Sequence, residues 1–114
     1  MKILIVDDNR DFCGTLADVV EDQGWESEVR HSPEGALQVL EERSTDVGLM
    51  LLDIEFGSES KLSGLDVLEQ SIKHYPSIPV IMISGKGTIE TAVHATKLGA
   101  LNFIDKSTLT IDRL

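Results

Sequence analysis

Val47-Gly48-Leu49-Met50-Leu51-Leu52-Asp53 is a run without a polar side chain, closed by an acid. A strand with one wet face would alternate apolar and polar residues. This one does not, so both its faces are buried, which implies helices on either side of a parallel sheet. Outward from it, Ile3–Val6, Val80–Ile83 and Leu101–Ile104 are further short apolar runs. Trp25–Arg30 is a weaker strand with Trp25, Ser27 and Val29 on one face. Helical spacing fills the gaps. Phe12, Leu16 and Val19/Val20 form one stripe, with Gly24 where a C-terminal cap belongs. Pro33–Arg43 forms another helix, with Ser32 as its cap, Pro33 in its first turn and Ala36, Leu37 and Leu40 facing inward. Leu65, Leu68 and Ile72 mark a third, and Thr88–Leu98, closed by Gly99, a fourth. Pro76 and Pro79 bracket the turn before Val80, and Leu109–Leu114 reads as the start of a fifth helix, cut short. Five strands alternating with helices predict an α/β fold, a doubly wound parallel sheet.

The chain has 114 residues, which fits a single domain over 1–114. With 41% hydrophobic and 26% charged residues it has the composition of a soluble globular protein. No apolar run approaches the roughly 20 residues that span a bilayer, and Asp7 and Asp8 interrupt any secretory signal. Cys13 is the sole cysteine, which excludes an internal disulfide and suits a reducing cytoplasm. The net charge of −10 opposes direct nucleic-acid binding and binding to anionic membranes, because both depend on basic side chains.

In doubly wound sheets the ligand crevice lies beyond the carboxyl ends of the strands. Asp7 and Asp8 follow the first strand, Asp53 the third, Ser84 the fourth and Lys106 the fifth, while the second offers only Arg30 and His31. Alone, an acid pair after a strand reads as a helix cap, with Asp8 or Asn9 capping the first helix. A lone lysine reads as a solvated charge and a serine before glycine as a turn. Together they are complementary. Three converging carboxylates repel one another, and a hard divalent cation such as Mg²⁺ relieves the conflict through oxygen ligands. A carboxylate can attack a phosphoryl group, and that reaction needs positioning and charge stabilisation. Asp53, expected at the middle of the sheet, is the candidate acceptor. Lys106 supplies a counter-charge, Ser84 a hydroxyl, and Gly85 room for the phosphate.

The segments ILIVDDN with Asp7 and Asp8, LMLLDI with Asp53, VIMISG with Ser84, and GALNFIDK with Phe103 and Lys106 make the chain resemble a response-regulator receiver domain of two-component signalling. The resemblance covers nearly the whole chain. It implies a flavodoxin-like strand order 2-1-3-4-5 and transfer of a phosphoryl group from a sensor histidine kinase to Asp53. It also implies Mg²⁺ held by Asp8, Asp53 and the backbone carbonyl of Glu55, with Asp7 acting through water. Ser84 and Phe103 would be the switch residues, reporting through the helix 4/strand 5/helix 5 face. Ile89, Val93, Leu101, Phe103 and Ile111 are candidates for that face, which would serve a homodimer or an output domain absent from this chain. The run GKGTIETAVHATKLGALNFIDK is similar to receivers of nitrogen-regulation-type activators, which precede a sigma-54-interacting ATPase and a DNA-binding domain. Transcription regulation is the expected output. Rival readings are a small phosphatase or phosphotransferase using Asp53 as a turnover nucleophile, and a phosphate-free docking domain.

Three features depart from the family pattern. The loop from Asp53 to Gly64 is long, lacks the common proline and carries Glu55, Glu59 and Lys61, so it is expected to be mobile or kinase-specific. Ser107 replaces the proline that commonly follows the lysine, and a trans bond after Lys106 is the expectation. The fifth helix is incomplete. Lys86 is expected to face Glu55 across the pocket and, with it, to tune the access of water to the phosphate. Gly85-Lys86-Gly87-Thr88 lacks P-loop spacing. His31, His74 and His94 read as surface or partly buried residues, and Cys13 as core.

Overall fold

The strands β1 (Lys2–Val6), β2 (Glu26–Arg30), β3 (Val47–Asp53), β4 (Val80–Ser84) and β5 (Asn102–Asp105) pair in parallel in the order β2-β1-β3-β4-β5. The helices are α1 (Arg10–Asp22), α2 (Pro33–Arg43), α3 (Gly64–His74) and α4 (Ile89–Leu98), with a 3-10 turn at Ser44–Asp46 before β3. The computed structural model describes residues 2–56, 60–85 and 89–106. The fifth helix, Ile111, Lys86 and the bond between Lys106 and Ser107 lie outside these residues.

The apolar reading of β3 has a direct physical counterpart. Met50 and Leu52 enter one core with Leu4, Val6 and Met82, closed by Ala36 and Leu40 of α2, Leu68 of α3 and Ala95 of α4. Leu51 enters the other with Ile3, Ile5 and Ile83, closed by Cys13, Leu16 and Val20 of α1. Both sides of the strand face core, so its side chains are apolar up to the acid at its carboxyl end.

The helix starts follow from local chemistry. The Asn9 side chain accepts from the Phe12 N–H at 3.0 Å, which decides the first cap in favour of Asn9 over Asp8. Ser32 accepts from the Gly35 N–H, and Ser63 and Asp66 form a reciprocal capping box at α3. After α1 and α4 the chain turns through Gly24 (φ +89°) and Gly99 (φ +116°), conformations that side chains rarely adopt.

Several strand boundaries differ from the sequence reading: β1 begins one residue earlier, at Lys2, β4 and β5 run one residue further, to Ser84 and Asp105, and β2 and β5 each lose their first residue. β2 starts at Glu26, and Trp25 before it is 43% exposed. β5 starts at Asn102. The N–H of Leu101 reaches the Val80 carbonyl at 2.8 Å, but its side chain is 66% exposed, a lead-in residue outside the strand. β2 is an edge strand and no residue in it is fully buried. Its Glu28 carboxylate receives Lys2 Nζ at 3.2 Å, Arg30 Nη2 at 2.7 Å and a two-pronged grip from Arg43.

Candidate functional site

Because the strands are parallel, their carboxyl ends share one rim. β1 delivers Asp7 and Asp8 there, β3 ends on Asp53, β4 ends on Ser84 and β5 leads into Lys106. Asp53, Asp7 and Ser84 are 5%, 2% and 1% exposed, although each is polar. An open cleft of about 300 Å³ is lined by Asp8, Asp53, Glu55, Phe56, Ser84, Gly85 and Lys106. One ligand oxygen from each of Asp7, Asp8 and Asp53 lies within 4.8 Å of the others, with Asp8 exposed.

The Lys106 ammonium reaches two of these acids. Lys106 Nζ stands 2.6 Å from Asp7 Oδ2 and 3.6 Å from Asp53 Oδ2. The lysine, expected to pair with Asp53, thus leans toward Asp7 and bridges the two buried acids. Burial, followed by the charge of Asp7, pushes the Asp53 carboxyl up to about 7, against the pull of Lys106 and of the Glu55 N–H. That N–H points at Asp53 Oδ1 from 3.4 Å. Burial lowers Lys106, but the ion-pair contact with Asp7 and the charge of Asp53 outweigh it and hold the ammonium above the ordinary lysine range. The donor set is all oxygen and carries more negative charge than Lys106 can offset, so it fits a hard divalent cation.

The backbone around the acids is tightly held. Asp7 Oδ1 accepts from the Asn9 N–H at 2.9 Å. The Asp7 carbonyl receives the Cys13 thiol at 3.2 Å and His31 Nδ1 at 2.9 Å. A carbonyl only accepts, so the proton sits on Nδ1 of His31. Cys13 is buried, as expected, and burial together with the charge of Asp7 pushes its thiol up to about 11. Gly64 closes the loop after β3, its N–H donating to the Ile54 carbonyl at 2.7 Å. A Cβ there would overlap the Asp53 carbonyl oxygen and sit 2.7 Å from Ile54 Cα.

Of the residues expected at the site, Asp8, Asp53, Glu55, Ser84 and Lys106 line one cleft, and Asp7 joins the acid group. Phe103 does not line the cleft. It packs, half-buried, against the core on the α2–α4 side. Ile89, Val93 and Leu101 are exposed, so the candidate signalling face is open to solvent there. His31 is partly buried and His74 and His94 are exposed. Four contributors are not singled out by sequence as parts of the site: Phe12, His31, Phe56 and Gly64. For Phe12 a signal was available, since it lies one helical turn after Asp8 and so belongs to the end of α1 nearest the acids.

The family model for the response regulator receiver domain matches residues 3–114. The nitrogen assimilation regulatory protein NtrX of Azorhizobium caulinodans is 43% identical over 112 residues, covering 98% of this chain and 24% of that protein. A putative NtrX-like response regulator of Rickettsia bellii is likewise matched over 22% of its length, so the chain spans about a quarter of these relatives. The crystal structure of the receiver domain of NtrX from Brucella abortus superposes with a TM-score of 0.88 at 40% identity, covering 97% of this chain and 89% of that one. A response regulator from Burkholderia pseudomallei, solved with a phosphorylated aspartic acid, calcium ion and citrate, gives 0.86 at 28% identity, covering 98% and 62%. The expected likeness to nitrogen-regulation receivers is therefore found, and this chain belongs to the response regulator receiver domain family.

Proposed function

We propose that residues 1–114 act as one cytoplasmic receiver domain that takes a phosphoryl group from a sensor histidine kinase onto Asp53. The observation that carries this reading is the burial of Asp53 at the end of the central strand, beside Asp7, Asp8 and Lys106 and open to a cleft that Ser84 also lines. An Asp53 oxygen attacks phosphorus, forming the P–O bond. The P–N bond to the kinase imidazole breaks, and its electron pair leaves with the ring nitrogen. Lys106 stands close enough to both acids to turn from Asp7 toward the incoming charge, and the Ser84 hydroxyl is placed to donate to a phosphoryl oxygen. A Mg²⁺ ion held by Asp8, Asp53 and the Glu55 carbonyl, with Asp7 through water, would supply positive charge to the phosphoryl oxygens. The aspartyl phosphate reported for the Burkholderia relative supports the same chemistry here.

The receiver is a stoichiometric switch in this reading. Ser84 and Phe103 relay the change to the face that bears Ile89, Val93 and Leu101. That face engages a second copy or an output domain, by analogy with the longer NtrX relatives. Glu55, with Lys86, tunes hydrolysis. Ligand binding shifts such a balance only through different affinity for the two states. Incubation with acetyl phosphate and Mg²⁺ should add one phosphate-sized mass to the wild type and none to Asp53→Asn. An unchanged gain in Asp53→Asn, or no gain in a wild type shown to bind Mg²⁺, would refute the acceptor assignment. Steady turnover of small phosphomonoesters would favour the phosphatase instead.

A further inference from the structure

We propose that Phe12 is a positioning residue for Lys106, its ring face holding the ammonium beside Asp53 through a cation–π contact. The inference rests on the reading of Asp53 as phosphoryl acceptor. Lys106 Nζ lies 4.5 Å from the centroid of the Phe12 ring, within the roughly 6 Å reach of this interaction. The same nitrogen is 2.6 Å from Asp7 Oδ2 and 3.6 Å from Asp53 Oδ2. Two acids and one aromatic face therefore surround it. A Cβ on Gly85 would touch Lys106 Cδ at 3.7 Å, so the stem runs alongside that glycine.

The lysine stem has several rotatable bonds and its side chain is 20% exposed, so solvent competes for the head group. The two carboxylates attract the ammonium but do not fix where it stands between them. The negative face of an aromatic ring adds a wall that a charged head group prefers and that carries no hydrogen-bond acceptor of its own. The ammonium can therefore turn to phosphoryl oxygens without breaking the ring contact. Phe12 is itself half-buried, in the first turn of α1, against the core that α1 closes with Cys13, Leu16 and Val20, so the ring is anchored to the rigid part of the fold.

A purely structural Phe12 would fill space and do nothing else. Ring-fluorinated phenylalanines placed at position 12 of the full chain separate the two roles, because they drain charge from the ring face while nearly keeping its shape. The readout is the dissociation constant of beryllofluoride in the presence of Mg²⁺, with the urea midpoint measured alongside. Affinity should weaken step by step with fluorination, by about three- to fivefold in total, while the urea midpoint stays level. Phe12→Tyr should keep the affinity and Phe12→Leu should weaken it by at least as much as full fluorination does. The Lys106 ε-protons should show an upfield ring-current shift in the wild type that disappears in Phe12→Leu. Tight wild-type binding with a flat fluorination series would overturn this inference alone. No beryllofluoride binding by the wild type would overturn the Asp53 assignment, and this proposal with it.

Discussion

Glu28 on the β2 edge and the acid group at the carboxyl rim treat charge in opposite ways. Glu28 is one carboxylate gripped by Lys2, Arg30 and Arg43, and the hydrogen bond from Arg43, first among its causes, holds its carboxyl below the ordinary range. At the rim, Asp7, Asp8 and Asp53 lie together, Lys106 reaches Asp7 and Asp53, and Asp53 rises to about 7. In the first cluster the single acid is outnumbered by bases and its charge is fully countered. Among the described residues the second gathers more acids than bases beside a cleft, a condition that favours attracting a cation and then a phosphoryl group. Ion pairs alone therefore do not mark the site. An excess of acids over bases does.

Three experiments probe this contrast, beginning with the harshest. Gly64→Ala should damage the rim and leave the Glu28 cluster alone. Its methyl group would collide with the Asp53 carbonyl and lie 2.8 Å from Asp53 C, both backbone atoms, so the chain must shift. A loss of about 2–3 kcal/mol in urea unfolding is expected, with phosphoryl uptake abolished. Wild-type stability with normal uptake would mean that the loop yields freely.

The second follows stability against pH in chelator. Asp53 titrates near 7 in the folded chain and near 3.8 when unperturbed, so between these values the folded state holds a proton that the unfolded state has lost. Stability contributed by this residue therefore falls as pH rises through that window. Glu28 runs the other way: its depressed carboxyl contributes stability above 4.5, which is lost as pH falls through its lower folded value. Asp53→Asn should flatten the decline from pH 4 to 7, by on the order of a few kcal/mol at neutral pH. A slope that survives the substitution would assign it to other groups. The third and smallest effect is that of Glu28→Gln. It should cost about 1 kcal/mol, discounted because the cluster faces solvent, and salt should shrink it, as thermal melts at two ionic strengths would show. Phosphoryl uptake should not change.

The fold was legible where the physics is local or periodic. The uninterrupted apolar run of β3 announced two dry faces, and Ser32 and Pro33 announced the start of α2, because capping involves neighbours in the chain. The site residues at the strand ends were legible because parallel strands all place their last residue on the same rim. Distances were not. That Lys106 leans to Asp7 depends on side-chain packing between β5 and α1. His31 and Cys13 meet on the Asp7 carbonyl from separate elements, a convergence that no spacing encodes. Leu101 read as strand from its apolarity, yet its hydrogen bond and its side chain serve different ends.

The common direction of the strands also gives the molecule a quiet end. The turns that enter the strands, through Gly24, Asp46, Ser77 and Gly99, lie at the amino end of the sheet, a full strand length from the acids. Ser77 is exposed in such a turn. A fluorophore attached there could report on assembly or tumbling without approaching the chemistry. Grafted segments should likewise be tolerated at that end.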